Sequence, residues 1–485
     1  MNRWAILLPI YAYLTVNFLF GYYSSRHVSR APNFLQEYFL GNRDLNGFVL
    51  AMTLFGTYVS ASSFIGGPGM AYSQGLGWVL LAMTQVSAGY IGLSMLGKKF
   101  AIVGRKIKAV TIIDFLRERY RHEAVALLAS VSIVVFLFAS MTAQWVGGAR
   151  LLQAAAGMEY GAGLAIFALT VMVYVTIGGF RAATLLDSVQ GSIMLAGTVA
   201  VLAGTIIAGG GITNIMATLR RTNPDLLTPF GVNGFIPIPW ISSYWILVGL
   251  GTAGLPQLAV RAMAYKNSRA MHQGIVLNTF VVGFTMLGMH LAGVLGRAVI
   301  PGEKTADLVM PTLTATVLNP WLAGFVLAAP LAAIMSTVDS VLILVSSAII
   351  KDIYLSYFNP SAGERLIRRV SLSATAILGV AVFLAAMTQP PFLVWLNLWS
   401  LGGLEAAFLV PILAGLYWKR ANATGALAGM VTGISTYVAF DRFWNRPFGT
   451  HTIVLPLVLA TLAMVVGSWT TRAPDADIVE RFWGA

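Results

Sequence analysis

The 485-residue chain contains no cysteine and little charge: Asp, Glu, Lys and Arg together make up 10% of it. The absence of cysteine excludes disulfides, thiolate metal sites and cysteine nucleophiles together. Five scattered histidines (His27, His122, His272, His290 and His451) argue against a zinc cluster or a haem ligand pair. A soluble chain carries roughly 25% charged residues, so the charge here is too sparse to solvate a globular surface. There is also no GxxxxGK[ST] phosphate loop, which removes that route to ATP hydrolysis. In place of charge the chain has 57% hydrophobic residues and a mean hydropathy of +0.77. At about 20 apolar residues per bilayer span, this is enough for about twelve to fourteen transmembrane helices.

Thirteen apolar runs of spanning length are present. They are Ile6–Tyr22, Gly47–Met70, Leu76–Leu96, Ala124–Val146, Ala162–Ile177, Leu185–Ile207, Ile241–Val260, Gln273–Ile300, Trp321–Ile350, Val370–Met387, Phe392–Tyr417, Ala423–Ala439 and Ile453–Trp469. The first lacks a small-residue cleavage site and is expected to be retained as a helix. An odd number of spans places the termini on opposite sides, and the basic residues decide which way round. With the N-terminus outside, only 8 of the 31 Lys and Arg (Arg3, Arg150, Arg220, Arg221, Arg297, Lys304, Arg442 and Arg446) fall outside. The rest, Arg261 among them, fall on the cytoplasmic side. The net charge of +13 is therefore a topology signal, and nucleic acid has no place in the account. The connecting segments are too short for a separate soluble domain, so the energy source of a carrier of this kind is a gradient.

Two spans are interrupted. The second contains Gly56-Thr57-Tyr58-Val59-Ser60-Ala61-Ser62-Ser63, followed by Gly66-Gly67-Pro68-Gly69. The seventh contains Gly249-Leu250-Gly251-Thr252-Ala253-Gly254-Leu255-Pro256-Gln257, where Pro256 removes a backbone donor. Irregular backbone at membrane depth is tolerated only inside protein or along a polar cavity. The breaks lie five spans apart, as two inverted five-span halves would place them. Close helix packing is the alternative for either break taken alone.

Polar groups at membrane depth are the next signal. The ninth span carries Ser336, Thr337 and Asp339, and the sixth carries Asp187. Hydroxyls and freed carbonyls are hard oxygen ligands that suit a small hard cation. Adjacent helical residues diverge by about 100°, so Ser336 and Thr337 flank one ion only where a broken span meets their face. Their alternative is a hydrogen bond to the carbonyl one turn earlier. Intramembrane carboxylates are functional candidates, with an ion pair to Arg181 the alternative for Asp187 and a structural hydrogen bond the alternative for Asp339. Glu405 is a weaker candidate of the same kind, and His290 reads as packing between helices.

The combination of Gly178-Gly179-Phe180-Arg181…Asp187…Gln190-Gly191, Gly254-Leu255-Pro256-Gln257…Arg261, Met335-Ser336-Thr337 and Pro411…Gly415-Leu416-Tyr417-Trp418…Arg420…Gly425-Ala426 resembles the sodium:solute symporter family over essentially the whole chain. The resemblance implies an all-α polytopic membrane protein of about 13 transmembrane helices with a 5+5 inverted-repeat sodium-coupled transporter fold. It implies one membrane domain over 1–485: a peripheral first helix (6–22), repeats at 47–207 and 241–417, two last helices (423–469) and a cytoplasmic tail (470–485). It also implies a bacterial inner-membrane location, N-terminus outside and C-terminus cytoplasmic, no enzymatic activity and no obligate protein partner.

Carried over position by position, the resemblance implies Na⁺ ligands at the carbonyls of Gly56, Val59 and Ala333 and the hydroxyls of Ser336 and Thr337. Asp187 matches the family's acidic residue of the sixth span, and Asp339 stands where relatives have small neutral residues, which makes both candidates for additional cation coupling. Tyr58 stands where some members carry an acidic residue. The expected substrate is a small organic anion docked beside the break against Tyr58, Ser60, Ser62, Ser63, Gln85, Thr252 and Gln257. Another small solute such as proline or a monocarboxylate is the alternative. A solute sensor without transport is a further rival, and it would be expected to append an output domain, whereas the tail after Trp469 has sixteen residues.

Overall fold

The computed structural model describes residues 3–30, 34–40, 43–390 and 393–484; the expected start of the eleventh span at Phe392 lies outside these. The described residues form helices joined by short turns, with a single isolated bridge between Leu45 and Tyr265. In chain order, the first half consists of α1 (Arg3–Arg30), α2 (Phe34–Leu40), α3 (Gly47–Tyr58), α4 (Gly67–Gln74), α5 (Leu76–Met83), α6 (Ser87–Lys106), α7 (Ile112–Tyr120), α8 (Glu123–Ala156) and α9 (Tyr160–Ala208). There follow α10 (Ile212–Thr222), α11 (Ile238–Leu247), α12 (Pro256–Ala264), α13 (Ser268–Val299), α14 (Val309–Val317) and α15 (Pro320–Ser347). The chain ends with α16 (Glu364–Met387), α17 (Leu393–Tyr417), α18 (Ala423–Phe443), α19 (Val454–Thr470) and α20 (Ala476–Trp483).

Among the described residues eight helices are long and apolar enough to cross a membrane, or ten when each bent pair counts as one span. Three shorter apolar helices, Leu7–Phe20, Tyr160–Val173 and Val454–Thr470, coincide with the first, fifth and thirteenth expected spans. The expected spans thus all correspond to apolar helices, but length and composition establish eight to ten of them and the count of thirteen is not confirmed. The outer faces are apolar, with Val276, Phe280, Leu384 and Leu462 all exposed, as a lipid-facing surface requires. The helix α15 is the opposite case. Its most apolar stretch is 94% buried, so it runs through the middle of the bundle rather than along its edge.

The 49-residue α9 would be about 73 Å long if straight, more than two hydrocarbon thicknesses. Its contacts divide it into two limbs. Tyr160 hydrogen-bonds the Ala386 carbonyl and Met172 packs on Gly379, which sets the first limb antiparallel to α16. Gly197 packs on Ala329 and Gly204 on Leu318, which sets the second limb antiparallel to α15. The two limbs coincide with the apolar helix Tyr160–Val173 and the candidate span Ala183–Ala208. The helix α1, expected at the periphery, buries Tyr13 and Asn17 against Gln190 of the second limb.

Candidate functional site

The second span bends by 69° between α3 and Ser62–Gln74. Helical hydrogen bonding stops at Val59, whose backbone is extended (φ −84°, ψ 118°), and resumes as a π-helical turn over Ser62–Gly66 that leads into α4. The amides freed by the break find side-chain acceptors: Ala61 N donates to Gln144 Oε1 (2.9 Å), Ser62 N to Ser60 Oγ (3.2 Å) and Ser60 N to Ser63 Oγ (3.4 Å). The serines that made this segment look unlike a membrane helix are therefore what holds it open, in line with the rule that buried backbone groups find partners.

The carbonyls released on the other side of the break face α15. Ser336 Oγ donates to Gly56 O at 2.8 Å and lies 3.1 Å from Ala333 O. Thr337 Oγ1 lies 3.1 Å from Gly56 O, 3.3 Å from Val59 O and 3.0 Å from Ala333 O. All five expected ion ligands thus meet in one nest of oxygens. Each hydroxyl reaches both the carbonyl a turn earlier and the broken span. Glycine at position 56 lets the two spans approach closely: a Cβ there would sit 3.0 Å from Ser336 Cβ and 3.1 Å from Asp187 Oδ1. Among the described residues no group of three or more His, Cys, Asp or Glu converges, and the nest consists of neutral oxygens with a carboxylate beside it.

That carboxylate is Asp187, fully buried against the break. Thr53 Oγ1 donates to its Oδ2 at 2.5 Å, and Arg261 Nη2 lies 3.9 Å away. Arg261 also donates through Nε to Thr53 Oγ1 (3.0 Å) and through Nη2 to Ser340 Oγ (2.5 Å), and Ser340 Oγ lies 3.2 Å from Thr57 Oγ1. A chain of hydroxyls around one guanidinium therefore ties the second, sixth, seventh and ninth spans together. This corrects the cytoplasmic placement of Arg261, which is 1% exposed and paired within the bundle. Counting basic residues near span ends cannot distinguish a solvated Arg from one held inside by a carboxylate. The alternative partner of Asp187, Arg181, has a side chain outside those described. Asp339 is buried on α15, and its electrostatic neighbours include Tyr13 of α1.

The seventh span bends by 52° between Ile238–Gly254 and α12. Residues 250–254 tighten into a 3₁₀ turn, Pro256 starts α12, and Thr252 Oγ1 donates to Gly249 O at 2.6 Å. The two breaks touch where Tyr58 Oη donates to Val248 O at 3.3 Å. Between them lies a cavity. All seven expected substrate contacts, Tyr58, Ser60, Ser62, Ser63, Gln85, Thr252 and Gln257, line it, and so does Thr337 of the oxygen nest. Among the described residues no Asp, Glu, Lys or Arg lines it. Sequence reasoning missed Ser140, Asn278 and Asn397 on its wall and read His290 as packing, although it too lines the cavity. Single polar residues in long apolar helices carry no pattern that separates cavity from packing. Three indole rings, Trp78, Trp240 and Trp395, cluster with centroids 6.0–6.3 Å apart, and Trp78 lines the cavity.

Two bent spans packed on a buried ninth helix, with an oxygen nest opening into an uncharged polar cavity, define a gradient-driven membrane carrier. The profile of the "Sodium:solute symporter family" matches residues 38–433, and the chain belongs to that family. It is a multi-pass sodium-coupled symporter, a carrier and not an enzyme, with Na⁺ as the co-transported ion. It is 48% identical to the sodium/pantothenate symporter of Haemophilus influenzae over 465 residues, 96% of each chain. It is also 48% identical to that of Escherichia coli over 476 residues, 98% of each chain. The osmoregulated proline transporter of Bacillus subtilis is 29% identical, with 97% of this chain and 95% of that one covered. Among solved structures, a Na⁺-coupled sialic acid symporter in a substrate-bound outward-open state shares the fold, with a TM-score of 0.82 at 19% identity, covering 97% of this chain and 99% of that one.

Proposed function

We propose that this carrier couples inward Na⁺ movement to uptake of pantothenate across a bacterial inner membrane, with its N-terminus outside and its C-terminus in the cytoplasm. The observation that carries the substrate is the 48% identity, over nearly the full length of each, to two sodium/pantothenate symporters, against 29% to a proline carrier. The cavity agrees with it. Pantothenate is a dihydroxy amide with one carboxylate, and a wall of hydroxyls, amides and apolar side chains without fixed charge offers hydrogen bonds to such a molecule.

In this reading Na⁺ binds the carbonyls of Gly56, Val59 and Ala333 and the hydroxyls of Ser336 and Thr337, 47–207 and 241–417 are the two inverted repeats, and rocking of one helix bundle against the other gives alternating access. Tyr58, Ser60, Ser62, Ser63, Gln85, Thr252 and Gln257 contact the substrate. Because Thr337 borders both nest and cavity, an ion that draws α3 onto α15 also shapes the cavity wall. Asp187 and Asp339 are the candidates for a second coupling cation, and Asp187 already faces the internal cation Arg261. The carrier works without an obligate protein partner.

Stoichiometry decides what such a carrier can achieve. A tenfold Na⁺ gradient supplies about 1.4 kcal/mol, and each net charge moved adds about 2.3 kcal/mol per 100 mV. One Na⁺ with one monovalent anion moves no net charge and supports roughly tenfold accumulation. Two Na⁺ give about 5.1 kcal/mol, or several thousandfold. The test is uptake of labelled pantothenate into proteoliposomes with and without a Na⁺ gradient, with proline, acetate and sugars as competitors. Saturable, Na⁺-dependent accumulation displaced by unlabelled pantothenate alone is expected, and stronger competition by any other solute would overturn the substrate.

A further inference from the structure

His290 is used neither by the ion nest nor by the expected substrate contacts, yet its geometry is that of a binding group. It lies on α13, 1% exposed, and lines the cavity between the two bent spans. Its Nδ1 lies 2.7 Å from the carbonyl oxygen of Met286, one turn earlier on the same helix. A carbonyl only accepts, so Nδ1 carries the hydrogen and the neutral ring presents Nε2 as a lone-pair acceptor. Among the described residues no protein group hydrogen-bonds Nε2. The ring reaches this position through a notch in α4: a Cβ on Gly67, which also lines the cavity, would sit 2.4 Å from Nε2. The glycine-rich stretch after the first break is therefore what lets the imidazole edge reach the cavity wall. Two further acceptors on that wall, Gln257 Oε1 and Asn278 Oδ1, are buried with no partner among the described residues.

We infer that His290 is a specificity-determining residue, its Nε2 accepting a hydrogen bond from a hydroxyl or amide N–H of the transported solute. The cavity then selects a solute carrying such a donor as well as a carboxylate, and disfavours simple monocarboxylates, which would leave Nε2 without a partner. The assignment rests on the proposed pantothenate transport, since the donor must belong to that molecule.

The test uses the full-length protein in proteoliposomes under a Na⁺ gradient, comparing wild type, His290→Phe and His290→Gln. The substrates are labelled pantothenate, an analogue lacking the hydroxyls and an analogue N-methylated at the amide. In wild type, the analogue missing the relevant donor is expected to show a KM about tenfold above that of pantothenate, the reach of one hydrogen bond. His290→Phe should raise the KM for pantothenate about tenfold and leave that for this analogue unchanged, so that discrimination disappears. His290→Gln, which keeps an acceptor, should recover part of it, and the half-saturating Na⁺ concentration should move less than about twofold in either variant.

An equal rise in KM for all three substrates would make His290 a packing residue, and an unchanged KM for pantothenate would make it irrelevant; either result overturns the inference. Should His290→Phe fail to insert, His290→Leu carries the same comparison. Wild-type protein that moves no pantothenate overturns the substrate reading and this inference together, whereas normal wild-type uptake with an indifferent His290→Phe overturns this inference alone.

Discussion

Removing both hydroxyls from the oxygen nest, Ser336→Ala with Thr337→Ala, perturbs the proposed ion site and the broken span at once. With Na⁺ bound, each hydroxyl acts as a neutral ligand to a charge, an interaction of about 1.5–3 kcal/mol by analogy with hydrogen bonds to charged groups. Losing two comes to about 3–6 kcal/mol, or roughly a hundredfold to ten-thousandfold in Na⁺ affinity. Without Na⁺ the two hydroxyls supply one hydrogen each to the two freed carbonyls, Ser336 to Gly56 O (2.8 Å) and Thr337 to Val59 O (3.3 Å) or Gly56 O (3.1 Å). Either single variant leaves one hydrogen for two buried carbonyls, at about 1–3 kcal/mol. Ser336→Ala and Thr337→Ala should therefore both lose thermal stability and both raise the Na⁺ requirement. The assay is initial uptake rate against Na⁺ concentration in proteoliposomes, with monodispersity in detergent as the folding control. A well-folded double variant with wild-type half-saturation by Na⁺ would refute the ligand assignment outright.

Gly56→Ala drives a methyl against Ser336 Cβ and Asp187 Oδ1, at 3.0 and 3.1 Å, and should cost about 1–3 kcal/mol and raise the Na⁺ requirement; a thermal-shift measurement beside the uptake assay checks both. Asp187→Asn leaves the buried Arg261 guanidinium uncompensated and should destabilise by about 3–5 kcal/mol, whereas Asp187→Asn with Arg261→Met should melt above the single variant. If the double variant melts no higher, the pair is not what holds the four spans together. At the start of α7, burial works against the Asp114 carboxylate, but Lys351 and the Thr111 and Val110 amides outweigh it and hold Asp114 below the usual carboxylate range. A depressed carboxylate contributes stability that is full above its unfolded value of about 4 and is lost as pH falls through the folded value. The melting temperature should accordingly drop on acidification below about pH 4, and Asp114→Asn should flatten that part of the profile.

What was legible in the sequence was whatever violates the habits of a membrane helix. Glycine, proline and hydroxyl residues inside two apolar runs announced both bends, and five spans of separation announced the paired architecture. The convergence of the hydroxyl pair at 336–337 on the break was legible because its geometry is local: two adjacent side chains, one carbonyl a turn back and one broken neighbour. Helix-to-helix contacts were not legible, because lipid and protein neighbours are equally apolar and no periodic pattern marks the buried face. The 94% buried α15 and the half-exposed helices at the rim share one composition. Arg261 was misplaced because its partners come from three other spans. His290 was underread because its access to the cavity depends on Gly67, more than two hundred residues earlier.

The same oxygens make the break tolerable and make it responsive. Freed carbonyls in hydrocarbon would cost several kcal/mol each if left bare, and Ser336 and Thr337 meet that need through hydroxyls that can turn from donating to ligating. On the proposed ligand assignment, a cation entering the nest would displace hydroxyl hydrogens from the carbonyls and replace those hydrogen bonds with its own attraction for all five oxygens. The difference between the two arrangements is what the ion can contribute to shifting α3 against α15, since a ligand moves an equilibrium only by its differential affinity for the two states. A carboxylate within the nest would bind the cation more tightly but leave an uncompensated charge whenever the ion departs toward the cytoplasm. The chain keeps Asp187 one layer behind, hydrogen-bonded to Thr53 and facing Arg261. A charge on Asp187 thereby has Arg261 as its partner in the ion-free state, and on the proposed assignment the ion would leave a neutral set of ligands.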